Sequence, residues 1–177
     1  RSVLYAKFLI QGDTLHLMAN HWPSRRGGVL AAESLRAGIA SMVRHIADSI
    51  TIISNGKAKI LIMGDFNCTP DDNIMQRLVN KSSDYIKGNA SCIINLASRG
   101  RNNVPGTYKF NGTWEIIDQI LVSEYLLRCN QGVAADSLGF KIFSPDFLLC
   151  NDEKHTGMTP FSTYRGYRYQ GGISDHL

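Results

Sequence analysis

Four short segments of the chain carry polar side chains of the kinds used in acid–base, metal and phosphate chemistry. The first is Ile60-Leu61-Ile62-Met63-Gly64-Asp65-Phe66-Asn67-Cys68-Thr69-Pro70, a buried-strand pattern that delivers an acid and an amide to the loop at its end. Asp65 and Asn67 lie two apart, so locally extended backbone would point both side chains the same way, toward one ligand. Gly64 would permit close backbone approach. Asp65, Asn67, Thr69 and Asp71 alternate as in an EF-hand calcium loop. That loop needs glycine sixth and glutamate twelfth, where this chain has Pro70 and Gln76. An isolated Asp-x-Asn is commonly just an Asx-turn ending a strand, and it is the other segments that weight it toward chemistry.

In the second segment, Asn20-His21-Trp22-Pro23-Ser24-Arg25-Arg26-Gly27-Gly28, a strand end runs into a glycine-rich loop. A lone His21 reads equally well as a hydrogen-bonded surface residue. Arg25 and Arg26 beside Ser24 and two glycines offer guanidinium forks and backbone donors, a set suited to phosphate oxygens and hence to substrate binding. His16 lies inside the preceding strand and reads as structural. In the third segment, residues 114–122, Asp118 interrupts an apolar run. An unpaired buried carboxylate is costly, so Asp118 needs a partner such as a histidine or arginine, and structural pairing alone would explain it. The fourth segment is Gly171-Gly172-Ile173-Ser174-Asp175-His176. Sequence neighbours are poorly placed to line up in series as a nucleophilic triad. Asp175 and His176 better suit a metal-linked carboxylate plus a base.

The elements that must position these residues follow from the surrounding pattern. Val3 to Gln11 and Thr14 to Asn20 are β-rich runs around Gly12-Asp13, a glycine-first turn that predicts a hairpin. Apolar Leu35, Ile39, Met42, Ile46, Ile50 and Ile53, with Arg36, Arg44 and Asp48 between them, predict an amphipathic helix stopped by Asn55-Gly56. A buried strand over Lys59 to Met63, a short helix from Asn73 to Val79 and a hairpin around Asn111-Gly112 with a long second arm to Ser123 follow. Strands near Lys141 to Phe143 and a Tyr, Gly and Arg-rich loop from Phe161 to Gly172 complete the chain. In that loop and at Trp22 and Trp114, aromatic rings could stack on bases, although such rings more often pack a loop onto a sheet. This order indicates a mixed α/β (α+β) protein with helices packed outside the sheet.

With 177 residues, the length suits one folded unit. Hydrophobic residues make up 44% and charged residues 19%, which excludes disordered, collagenous and coiled-coil classes. Apolar runs such as Ala58 to Met63 fall far short of the ~18 residues of a membrane span, so the chain reads as soluble. A net charge of +4 is compatible with a phosphate-bearing partner without demanding nucleic acid. Cys68, Cys92, Cys129 and Cys150 form no C-x-x-C pair, which leaves the redox compartment open, and localisation is open between cytoplasm and export.

Taken in order, His21, Gly64-Asp65-Phe66-Asn67, Ile117-Asp118-Gln119-Ile120 and Ser174-Asp175-His176 resemble the endonuclease/exonuclease/phosphatase superfamily, the deoxyribonuclease-I-like fold. The flanks Asn-His-Trp-Pro-Ser-Arg-Arg-Gly-Gly and Gly-Thr-Tyr-Lys-Phe look like a bacterial branch of it. The resemblance implies a four-layer α/β/β/α sandwich of two mixed, largely antiparallel sheets. It also implies hydrolysis of phosphate esters by water with a divalent metal, usually magnesium, with manganese or calcium as alternatives. By the same resemblance His176 contacts the phosphate or activates water, Asp118 pairs with it, and Asp175 belongs to the metal-side carboxylates. Asp65 would orient or activate the attacking water, Asn67 would hold the nucleophile or a phosphoryl oxygen, and His21 would contact the phosphate.

The family pattern begins with an early Asn and a Gln-Glu whose glutamate is a principal metal ligand, and no equivalent precedes Val3. The expectation is therefore a single domain over 1–177 that lacks its N-terminal portion and leaves a sheet edge exposed. The leading reading is a metal-dependent phosphodiesterase or nuclease-like enzyme. The alternative is a catalytically incompetent fragment or a phosphate-ligand binding module with the same fold. Nucleic acid, nucleotide, inositol phosphate and phospholipid head group all stay open as substrates.

Overall fold

The computed structural model describes residues 3–25, 32–79, 92–98 and 105–177. In chain order the elements are β1 (Leu4–Ile10), β2 (Asp13–His21), α1 (Glu33–Ile53), β3 (Lys59–Asp65), α2 (Asn73–Val79), β4 (Ile93–Asn95), β5 (Tyr108–Phe110), β6 (Thr113–Glu115), β7 (Asp118–Ser123), α3 (Glu124–Arg128), β8 (Leu149–Asn151), β9 (Met158–Pro160), β10 (Tyr164–Arg165) and β11 (Arg168–Tyr169). The protein is mixed α/β and divides into two compact units, Arg1–Gly100 with Asp118–Phe140, and Arg101–Ile117 with Lys141–Leu177.

The first unit is built on a five-stranded sheet of order β1-β2-β3-β7-β4. β1 and β2 form the expected hairpin, but its turn is Gln11-Gly12, one residue earlier than Gly12-Asp13, because Ile10 pairs with Asp13. Gln11 and Gly12 take φ of 51° and 83°, the doubly positive geometry that matches the twist of a tight hairpin. Asp13 is thereby left in the strand, where it accepts from Val133 N at 2.9 Å and pairs with the Lys59 ammonium. That pairing lowers the Asp13 pKa and raises that of Lys59. β1 lies at the sheet edge with Leu4, Phe8 and Leu9 exposed.

β2 and β3 run parallel, which requires a crossover, and α1 supplies it. The helix spans the expected residues but turns a different face inward. It buries Ala40, Val43 and Ala47 together with Arg44 and Asp48, while Leu35, Met42 and Ile53 of the expected stripe are exposed. The small residues let the helix approach its neighbours closely, and the two charges satisfy each other. Arg44 Nε donates to Asp48 Oδ2 at 3.0 Å and its Nη1 donates to the Leu78 carbonyl of α2 at 3.1 Å. Of the expected stripe, Ile39, Ile46 and Ile50 pack against the core. Asn55 and Gly56, both at positive φ, end the helix as expected. The core is filled by Met18, Ile60, Ile62, Phe66, Met75, Leu78 and Leu121, each worth about 1.5–3 kcal/mol on burial.

The second unit consists of the hairpins β5–β6, β8–β9 and β10–β11. Asn111-Gly112 makes its turn, with φ of 48° and 82°. The long second arm does not persist: β6 ends at Glu115, and β7 belongs to the five-stranded sheet of the first unit. Ile117 N turns from strand pairing to donate to Thr107 Oγ1 at 3.2 Å, which marks the change. Strands near Lys141 to Phe143 are also absent. That stretch leads to Pro145, whose carbonyl accepts from Leu148 N at 2.9 Å in a 3-10 turn. A proline ends ladder pairing because it has no N–H to give, and the strands form later, as β8 and β9. The Tyr, Gly and Arg-rich loop contains the β10–β11 hairpin. Among the described residues no helix is long and apolar enough to cross a membrane.

Candidate active site

Sheet register brings the polar residues of the first unit together. His21 is the Cα partner of Asp65 across β2 and β3, and Asp65 is the Cα partner of Asp118 across β3 and β7. The C-terminal ends of two parallel strands and the start of an antiparallel one thus present a histidine and two carboxylates side by side. His21 Nε2 lies 3.5 Å from Asp65 Oδ2, with the histidine side chain 61% exposed and the aspartate 16% exposed. Asp118 is half-buried.

Asn67 reaches Asp65 by a different route from strand alternation. Its φ is 49°, so the backbone has already left the extended region. The carboxylate captures the loop instead: Asp65 Oδ1 accepts from Asn67 N at 2.8 Å, and Asp65 Oδ2 accepts from Asn67 Nδ2 at 2.9 Å. Asn67 Nδ2 also donates to the Trp22 carbonyl at 3.1 Å. Both amide hydrogens are therefore committed, and the acceptor Oδ1 is what Asn67 can offer a further group.

Gly64 does allow a close approach, but to the protein's own backbone. A Cβ there would sit 1.9 Å from Asn20 O, at φ 135°. The loop after β2 is fixed in the same place, since Trp22 N donates to Asp65 O at 2.9 Å. Trp22 is fully buried, stands edge-on to Phe66 at 4.9 Å and donates to Asn20 Oδ1 at 3.0 Å, so it supports the site from within the core rather than stacking on a ligand. Arg25 is half-buried, with its charge within electrostatic reach of Cys68; Arg26 lies outside the described residues. The Cys68 thiol is pushed up to about 11, chiefly by burial, and stays protonated at neutral pH.

His176 and Asp175 belong to the second unit. The His176 ring lies 4.8 Å from that of Tyr108, the two residues form a β-bridge, and Leu177 N donates to Thr107 O at 2.8 Å. His176 N donates to Ser174 Oγ at 3.0 Å, so that serine acts as a local brace. Asp175 is exposed. His16, read as structural, sits 2.7 Å from Tyr5 Oη, and burial with the nearby Lys7 lowers its pKa.

Several supporting residues escaped sequence reasoning. Gln119 is buried, accepts from Asn95 Nδ2 at 2.6 Å and donates to the Cys68 carbonyl, which ties the loop after β3 to β7. An amide inside the apolar run 118–122 was the signal for it. Arg36, on the buried side of α1, donates to the Pro23 carbonyl at 3.2 Å and anchors the loop after β2. Thr107 and Tyr108 stand in the flank Gly-Thr-Tyr-Lys-Phe, but nothing in their types marked them as supports of His176.

Among the described residues no three His, Cys, Asp or Glu side chains gather around a cation position. Asp65, Asp118 and the Asn67 carbonyl oxygen are nonetheless hard donors on adjacent backbone. Magnesium keeps several waters and needs only one or two carboxylates, so the chemistry of this donor set suits it.

Comparison with solved structures finds a truncated TDP2 of Caenorhabditis elegans at 17% identity and TM-score 0.49, covering 68% of this chain and 45% of that one. A Staphylococcus aureus beta toxin variant with bound magnesium ions is 14% identical, with TM-score 0.49, and covers 97% of this chain and 54% of its own. A conserved protein of unknown function from Enterococcus faecalis V583 is 19% identical, with TM-score 0.41 and coverage of 63% and 39%. The chain thus spans about half the length of these structures or less. No curated protein matches it. The sequence profile described as Endonuclease/Exonuclease/phosphatase family matches residues 1–177, and the chain belongs to that family.

Proposed function

We propose that the chain carries the catalytic residues of a divalent-metal-dependent hydrolase of phosphate esters, a phosphodiesterase or nuclease-like enzyme that uses water as nucleophile. The observation that carries this reading is the adjacency of His21, Asp65 and Asp118 across three strands, with Asn67 locked onto Asp65. Residues 1–177 act in this reading as part of one family domain.

Asp65 is the group that takes or orients the proton of the attacking water. It is mostly shielded from solvent and already held by two donors from Asn67, so its carboxylate is fixed before substrate arrives. Asn67 has its N–H groups occupied, which makes it an acceptor for a hydrogen of that water rather than a donor to a phosphoryl oxygen. His21, largely exposed beside Asp65, contacts the phosphate, and Arg25 and Arg26 add guanidinium donors to its oxygens. His176 is the catalytic histidine, Asp118 fixes histidine charge and tautomer, and Asp175 would serve as a metal-side carboxylate in addition to the hard donors of the first unit. Magnesium, or manganese or calcium in its place, would be held through carboxylate oxygens and would supply charge neutralisation at the leaving oxygen.

Hydrolysis of bis-p-nitrophenyl phosphate by this chain, with magnesium and with chelator, tests the reading. Metal-dependent release that falls by about 10²–10⁴-fold in Asp65→Asn and in His176→Ala is the expected result. Unchanged rates in either variant would remove that residue from the mechanism. Magnesium binding without turnover on any phosphate ester would leave a phosphate-ligand binding module.

A further inference from the structure

Two helices of the first unit, α1 and α2, meet without filling the space between them. Ala37, Ala40 and Ser41 of α1 and Ile74 and Leu78 of α2 line a cavity of about 300 Å³. Packed interiors leave few voids larger than a water molecule, and this one has the size at which small-molecule sites begin. Large apolar residues of the same helix, Leu35 at 60% exposure and Met42 at 45%, stand in solvent instead. The small side chains of α1 therefore face the gap and its bulky ones do not, the reverse of what filling it would need. The charges around the cavity are also unequal. Arg44 and Asp48, both buried in its lining, offset each other through their 3.0 Å bond, and Arg44 Nη1 donates to the Leu78 carbonyl. Arg77, in the last turn of α2, lines the same cavity, is exposed and takes part in none of the ion pairs found among the described residues. His45 and Ser41, exposed in the same lining, add a ring nitrogen and a hydroxyl.

We propose that the cavity between α1 and α2 binds a small organic anion, with its charged head group on the Arg77 guanidinium and its apolar body against Ala37, Ala40, Ile74 and Leu78. A guanidinium fork matches the paired oxygens of a carboxylate or a phosphate. Alanine, isoleucine and leucine walls suit an apolar body, and a few polar groups at one side fix its orientation. A metal ion does not fit, because Asp48 is the one carboxylate in the lining and Arg44 already holds it. A cationic ligand would meet the like charge of Arg77. The cavity shares no residue with His21, Asp65, Asn67 or Asp118, so the proposal goes beyond the hydrolase reading and does not rest on it.

The test is fluorescence titration of the 177-residue chain with anilinonaphthalene sulfonate, an anion on an aromatic body, in chelator so that no turnover occurs. Ser41→Leu puts a bulkier side chain into the cavity from an exposed helix position that leucine suits, and it should weaken binding about ten-fold. Arg77→Gln should also weaken it about ten-fold, while Arg77→Lys, which keeps the charge without the fork, should lose less. Each of these variants changes an exposed side chain, so the buried contacts of both helices stay in place. Leu9→Lys, on the exposed edge strand β1 where an apolar dye could otherwise gather, should change nothing. Octanoate and octyl phosphate carry one apolar body on a carboxylate and on a phosphate, and the one that displaces the dye identifies the head group.

Wild-type affinity in Ser41→Leu or in Arg77→Gln would overturn the proposal, as would the absence of saturable dye binding. So would a loss of dye binding in Leu9→Lys, which would place the dye on the sheet edge. Failure of both octanoate and octyl phosphate to displace the dye would overturn it as well, because the site would then not take an apolar body with an anionic head.

Discussion

In the first unit, His21, Asp65 and Asp118 stand on strands whose neighbours Met18, Ile60, Ile62 and Leu121 are fully buried. In the second, His176 stands beside Tyr108 on a segment held by a β-bridge and a few backbone bonds. Among the described residues of that unit Ile117 and Pro160 are the buried apolar side chains, and Phe143, Phe147 and Ile173 are exposed at 61–69%. Its firmest tie is polar. Lys109, 2% exposed, pairs with Asp152 at 2.9 Å and donates to the carbonyls of Thr156 at 2.9 Å and Met158 at 3.1 Å. Apolar packing surrounds one set of site residues, while the unit that carries the other is tied by a charged knot, so the two units should respond differently to backbone change and to pH.

The largest expected effect is at Gly64. A Cβ 1.9 Å from Asn20 O, with Asn20 C and N at 2.8 and 3.0 Å, meets backbone and has no flexible side chain to push away. Gly64→Ala should cost roughly 4 kcal/mol or more, read as loss of soluble folded protein or a much lower urea midpoint. A variant of near wild-type stability would mean that β2 and β3 are not clamped together at the site, and the contrast with the second unit would fail.

How far the sequence alone revealed these foundations differs between the units. Strong periodic or turn signals, such as the Lys59 to Met63 run and Asn111-Gly112, produced elements where expected, because local chemistry decides them. The inward face of α1 was not legible. Leu35, Met42 and Ile53 outrank Ala40 and Ala47 in hydrophobicity, yet close approach and the Arg44–Asp48 pair decide which face turns in. Asp65 and Asn67 were legible as partners for the wrong reason, since a left-handed Asn67 captured by the carboxylate replaces strand alternation. The second unit was hardest to read, because its short strands depend on non-local ties such as Lys109 to Asp152, 43 positions apart, that leave no periodicity.

That tie provides the pH prediction. The Lys109 ammonium, with backbone N–H groups of Lys154 and His155, lowers the Asp152 pKa to about 2. A depressed carboxylate stabilises the fold above its unfolded value of about 4, and the contribution is lost as pH falls through the folded value. Amide exchange in β8 and β9 should therefore be faster in Asp152→Asn than in wild type at pH 7, and the two should converge as the pH falls from about 4 toward about 2. Amides of β3 should not distinguish the two proteins. A difference between them that persists at about pH 2 would assign the tie to shape rather than charge.

The smallest effect is at Gly157, which closes the loop knotted by Asp152 and Lys109. It has φ +83° like many turn glycines, but a Cβ there would meet nothing within 4 Å. Only the backbone penalty of a left-handed alanine remains, about 1 kcal/mol. Gly157→Ala should lower the urea midpoint slightly and leave the slope unchanged. The Gly64 variant meets both a wall of backbone and a φ of 135° that alanine tolerates worse than the 83° at Gly157, so its loss should be far the larger. A loss at Gly157 as large as that at Gly64 would show that its loop is clamped as tightly as the β2–β3 junction, with exposure no guide to tolerance there.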